Sequence, residues 1–278
     1  MIVDTLGYLC LKSQFKEEIA ASKESLKTFI DQLVRLVTKD ATHPAAQADT
    51  EKASAYQSFI FMILNLVRDV QFDTLPSYSI ANYEESKKMD ISYFELKELQ
   101  KTMGKHAVDG QAQLSSEFVN EYGSDLEFSK RLRTWLLNET TLIDAFTTGE
   151  LRKWIMTQAG VVTIKMVSEI LLHFAYIQEL GPILVQKGLL KLILDLQSSL
   201  LSQSTEALTL VKEALTNIAQ TGAKLMIKTN PTLVPNEHVE GVASLAVKML
   251  IGEECHHELL QFEGLLALTN ISAKGDYK

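Results

Sequence analysis

Ala214-Leu215-Thr216-Asn217-Ile218 returns letter for letter as Ala267-Leu268-Thr269-Asn270-Ile271, and the reading of the fold starts from that recurrence. Looser copies occur at Leu171-Leu172-His173-Phe174, Ile63-Leu64-Asn65-Leu66 and Leu6-Gly7-Tyr8-Leu9. Each copy sets one polar or aromatic residue (Tyr8, Asn65, His173, Asn217, Asn270) directly before a large apolar one. A motif held at one phase of successive amphipathic helices marks a helical repeat array. Each unit of such an array buries its apolar face against its neighbours, so the expected work is binding along an extended surface.

Working outward, the apolar spacing predicts helices throughout. Phe15 and Ile19 mark a short one, and Leu26, Phe29, Ile30, Leu33, Val34 and Val37 a longer one. Residues 53–70 form a strong helix and residues 83–101 a thin-striped one, separated by a loop that contains Pro76. Residues 104–125 carry three glycines, polar side chains and little periodicity, and read as a flexible linker. Short helices follow at 129–137 and 142–146, then a long one at 161–177. A helix at 183–186 stops at Gly188, a C-cap position where glycine accepts the left-handed conformation. Helices at 189–200, 205–219, 239–251 and 257–272 complete the chain, with 226–238 read as a loop around Pro231 and Pro235.

The order short helix, glycine turn, medium helix, loop, long helix matches the armadillo unit. Ladder positions 173, 217 and 270 are 44 and 53 residues apart, beside a usual period of ~40–47. The expected fold is therefore all-α, an armadillo-like right-handed superhelical solenoid. Its long helices would line a groove, and Asn217 and Asn270 would face a bound segment with both amide donor and acceptor. The competing structural reading has these residues bonding only to neighbouring parts of their own chain, and for His173 it is a satisfied core histidine. Tyr8 and Asn65 complete the candidate ladder.

Composition excludes other classes. The chain is 46% hydrophobic with 5 prolines and 13 glycines in 278 residues, enough for a continuous core and too few breakers for a turn-rich β fold. A net charge of −8, from 35 acidic and 27 basic residues, argues against a nucleic-acid partner. Apolar runs fall short of the ~20 residues that span a bilayer, so no membrane insertion is expected. Two distant cysteines, Cys10 and Cys255, exclude a disulfide framework and point to the cytoplasm. Cys255-His256-His257 is the one metal-like cluster, but adjacent helical residues diverge by about 100° and cannot share an ion. With no glycine-rich phosphate loop, no His-Glu-x-x-His and no serine elbow, neither cofactor, metal nor enzymatic activity is expected. The chain opens inside a helical pattern, and its last apolar helix lacks a polar cap, which reads as a piece of a longer array.

Two stretches carry a resemblance to a known family. Residues 214–219 with Thr229-Asn230-Pro231-Thr232-Leu233-Val234-Pro235 resemble the "A-L-x-x-I-A … N-P-x-I-A-F-P" segment of the UCS-domain myosin chaperones. Residues 260–271, from Leu260-Gln261-Phe262-Glu263-Gly264 through Asn270-Ile271, are similar to that family's "x-F-E-A-L-x-A-L-T-N-L". A weaker likeness covers residues 183–192. Val234-Pro235 stands where the family has Ala-Phe-Pro, so the loop is shorter and its aromatic is missing. The resemblance runs from about residue 80 and implies central armadillo-like repeats at 1–103, the linker at 104–125, and the N-terminal half of a UCS domain at 126–278. It implies the myosin heavy-chain motor domain as client and a heat-shock chaperone as a further partner. The absence of a tetratricopeptide segment is similar to the fungal branch. The alternative is an armadillo adaptor that reads an extended basic peptide. Such adaptors set tryptophans on the ladder helices, whereas Trp135 and Trp154 stand outside them.

Overall fold

A computed structural model describes residues 13–38, 48–67, 131–201, 208–251 and 258–274. Tyr8, both cysteines, the pair His256-His257, the helix expected at 83–101 and the 104–125 segment lie outside the described residues. The described residues are all-α, with no strand among them.

The helices, in chain order, are α1 (Ser13–Ala20), α2 (Lys23–Thr38), α3 (Ala48–Val67), α4 (131–138), α5 (Thr141–Thr147) and α6 (Gly149–Thr157). Then come α7 (Val161–Tyr176), α8 (Gly181–Gln186), α9 (Leu189–Leu201), α10 (Leu208–Lys228), α11 (Asn236–Ile251) and α12 (Glu258–Ser272). Two of these correct the sequence reading. α6 lies where the sequence reading assigns no helix, between those expected at 142–146 and 161–177. The structure uses Thr148-Gly149 as a one-residue corner: Thr148 is extended (φ −139, ψ 173) and Gly149 takes φ 76, which lets a new helix start at once. Leu151, Trp154 and Ile155 then bury one face of it.

The second correction is larger. α10 continues nine residues past the expected end at Ala219, through Gly222, to Lys228. Gly222 is not a breaker but a contact point. A Cβ there would meet Leu245 Cδ1 at 3.2 Å and Ile193 Cδ1 at 3.4 Å, so the missing side chain lets α9 and α11 approach. The loop read at 226–238 shrinks to a 3-10 turn at Pro231–Leu233, where Asn230 Oδ1 accepts from the Thr232 amide at 3.1 Å. Gly188, with φ 82, makes the expected stop between α8 and α9.

Packing follows a serial order. The long helices form one row, α3 against α7, α7 against α10 and α10 against α12. A second row runs α2, α6, α9, α11, each in contact with the next, and α2, α9 and α11 pack on members of the first row. One cluster of buried side chains runs through both rows, from Ile19 to Ile271. A row of aromatic rings carries it across the first elements: Phe59 of α3 lies 6.1 Å from Phe146 of α5, and Phe146 lies 6.4 Å, edge-on, from Phe174 of α7. The Tyr56 ring lies 5.2 Å from that of Trp154, tilted by 47°, and burial holds its phenol above the usual tyrosine range, with Glu150 adding to the shift.

α11 and α12 meet at their backbones. A Cβ on Gly264 would sit 2.9 Å from the Ala246 carbonyl oxygen and 3.3 Å from Met249 Cβ. Gly264→Ala is therefore expected to destabilise the protein by about 1 kcal/mol, the crowding outweighing the better helix propensity of alanine. A urea midpoint that rises instead of falling overturns this contact.

Candidate partner-binding face

α10 carries its polar residues in a stripe. Glu213, Asn217, Gln220, Lys224 and Lys228 follow at steps of three and four residues, which keeps them on one side of the helix. Gly222, pointing at Ile193 of α9 and Leu245 of α11, marks the other side. The stripe thus faces away from the second row. On α7 the same spacing aligns Lys165, Glu169, His173 and Tyr176.

Contacts between neighbouring long helices run along these stripes. Lys165 Nζ lies 2.8 Å from Glu169 and 3.7 Å from Glu213. Asn217 Nδ2 donates to Ser168 Oγ at 3.1 Å. Lys228 Nζ donates to the main-chain oxygens of Tyr176 (2.8 Å) and Ala175 (3.4 Å), the last carbonyls of α7. Those carbonyls have no partner within their own helix, so a cation there satisfies them and the helix dipole together. Asn270 Nδ2 donates to Met226 O, in the last turn of α10, at 2.8 Å, a neutral hydrogen bond to one such carbonyl. Lys274, just past α12, donates to Val234 O.

A buried ion pair sits at the centre. Lys224 Nζ is 2.7 Å from Glu263 Oε1, with side-chain exposures of 4% and 14%. The same ammonium lies 4.3 Å from the centre of the buried Tyr176 ring, so one charge joins α7, α10 and α12.

Among the ladder candidates, His173, Asn217 and Asn270 fall on three successive long helices, and all three are half-buried. The His173 ring centre is 6.4 Å from that of Tyr176. Asn65 lies on α3, next in the row, and is buried at 6% exposure. Ser168, Tyr176, Lys224, Lys228 and Glu263 were not picked from the sequence. Lys224 and Lys228 carried a signal, since they continue the phase of Asn217, but they lay beyond the expected end of that helix. Comparison with protein-family models, curated proteins and solved structures finds no match to this chain.

Chemically the face offers hydrogen-bonding groups and fixed charges. No group of three histidine, cysteine or acidic side chains able to hold a metal occurs among the described residues. No helix among them is long and apolar enough to cross a membrane.

Proposed function

We propose that this protein is a binding protein without catalytic chemistry, a cytoplasmic chaperone of the UCS type whose client is the myosin motor domain. Its two helix rows are read as an armadillo-like, right-handed superhelical array, with the first row lining the groove that holds the client. One observation carries the reading: α3, α7, α10 and α12 pack in series, and α7 and α10 each align polar residues, those of α10 on the side away from α9 and α11. An extended face of that kind suits a large, partly folded client better than a small molecule. The likeness of residues 260–271 to the UCS pattern supplies the client's identity.

The test is affinity for an isolated myosin motor domain. Binding is expected, and Asn270→Ala and Asn217→Ala should each weaken it about 3–10-fold, the worth of one hydrogen bond, at unchanged helical content. No measurable binding removes the proposed client. Unchanged affinity in both variants removes the ladder. Tight, salt-sensitive binding of a lysine-rich peptide would instead favour the adaptor. Against that outcome, Trp135 and Trp154 are both 6% exposed and packed in the core on α4 and α6, where neither can clamp a lysine stem.

A further inference from the structure

The corner between α1 and α2 opens on a cleft that no residue of the polar stripes lines. Ser22 caps α2: its Oγ accepts from the Ser25 amide at 3.0 Å and lies 2.9 Å from Ser25 Oγ, which fixes the turn. Phe15 stands seven residues before Ser22 and Phe29 seven after, so the corner folds the two rings together. Their centres are 5.9 Å apart, edge to face, and both side chains are only half-buried. With Ile19, at 7% exposure, they form the apolar floor of a cleft of about 750 Å³. That volume is ample for a large apolar side chain and its neighbours.

Charge decides what such a cleft admits. Glu18 and Glu24 line it too, and both are exposed. Neither carboxylate forms an ion pair among the described residues. Lys27 of α2 is held elsewhere, 3.0 Å from Asp31 and 3.5 Å from Glu139. Glu24 lies in the first turn of α2, where the helix dipole favours the ionised form. On α7 and α10, by contrast, Lys165 and Lys224 already have carboxylates of the chain beside them. The cleft thus sets two uncompensated negative charges over an apolar floor.

We propose that this cleft is a second docking site, for a segment of another protein in which a large apolar side chain is flanked by lysine or arginine. The apolar side chain seats on Phe15, Ile19 and Phe29, and its basic neighbours meet Glu18 and Glu24. Burial on the rings supplies the affinity, and the carboxylates select the sign of the flanks. No residue of α7, α10 or α12 takes part, so the site stands apart from the client reading.

The test is the fluorescence anisotropy of a dye-labelled hexapeptide, two leucines between two pairs of lysines, titrated with the whole chain. Binding is expected, with a shift of the Ile19 methyl signal that places the peptide in the cleft. Serines in place of the leucines should weaken binding at least about tenfold. Glutamates in place of the lysines should abolish it. Glu18→Gln with Glu24→Gln, exposed changes that leave the floor intact, should weaken it about 3–10-fold. High salt should weaken the wild type by a similar factor and the double variant far less. Thr28→Lys, which puts a cation on the same rim, should act at least as strongly as the double variant. Absence of binding to the wild type overturns the proposal. So does a serine–lysine peptide that binds as tightly and ignores the carboxylate changes, which is the outcome an adaptor groove gives. Equal affinity for hexylamine would assign the cleft to a small lipophilic amine and overturn the peptide reading. Dimers in sedimentation that dissociate in the Glu18→Gln, Glu24→Gln variant would make a second copy the occupant and overturn it likewise.

Discussion

Phe174→Ala is expected to cost about 3–5 kcal/mol of stability, from lost transfer energy and the cavity left behind. Phe174 is fully buried, at 0% exposure, and meets Phe146 edge-on at 6.4 Å, which in turn lies 6.1 Å from Phe59. Truncating it breaks the aromatic row that ties α7 to α5 and, through it, to α3. Edge-to-face ring contact adds about 0.5–1.5 kcal/mol beyond area burial, so the loss belongs at the upper end of the range. Phe262→Ala is the matched control. That ring is 56% exposed on α12, and its removal should stay within about 0.5 kcal/mol. Urea unfolding at constant m-value measures both. Equal losses for the two phenylalanines would contradict the core as described.

Helix identity was legible wherever apolar residues kept a 3.6-residue period with clear stops. Val161–Tyr176, Leu189–Leu201 and Glu258–Ser272 lie within one or two residues of their expected limits. The misses share a cause. Gly149 and Gly222 each lie three residues past an expected helix end, and local sequence does not say what a glycine is for. At Gly149 it is a corner that needs positive φ; at Gly222 it is a gap in a helix that lets two neighbours in. Only the positions of Ile193 and Leu245, 29 residues before and 23 after, distinguish the second use.

The face was legible in part for a related reason. A repeated motif gives the phase of a residue on its helix, so Asn217 and Asn270 could be set on corresponding sides of α10 and α12. Phase says nothing about the partner that fills a side chain's hydrogen bonds. The donors of Asn217 and Asn270 find groups 49 and 44 residues earlier, Ser168 Oγ and the Met226 carbonyl. Of the two competing readings of the ladder, the bond to a neighbouring part of the chain is the one seen, made by the nitrogen of each side chain. Lys224 and Glu263, 39 residues apart, were unremarkable as charges on helices and became central only once stacking brought them together.

That pair carries the second large effect. Lys224→Met is expected to destabilise the protein by about 3–5 kcal/mol, because it strips the countercharge from a carboxylate that is only 14% exposed. Glu263 Oε2 is already buried without a hydrogen-bond partner, so the stranded charge finds no substitute nearby. The same change removes the ammonium from the Tyr176 ring. Glu263→Gln strands the Lys224 ammonium in turn, but leaves it an amide oxygen to donate to and the Tyr176 ring beside it, so its cost should not exceed that of Lys224→Met. Lys224→Met with Glu263→Leu should recover most of the single-variant loss, because an apolar pair of similar volume suits a site closed to water. Unfolding free energies of the four proteins, wild type included, give the coupling directly. A Lys224→Met loss under about 1 kcal/mol, or a double variant worse than either single one, would place the pair in solvent and remove it as the junction of α7, α10 and α12.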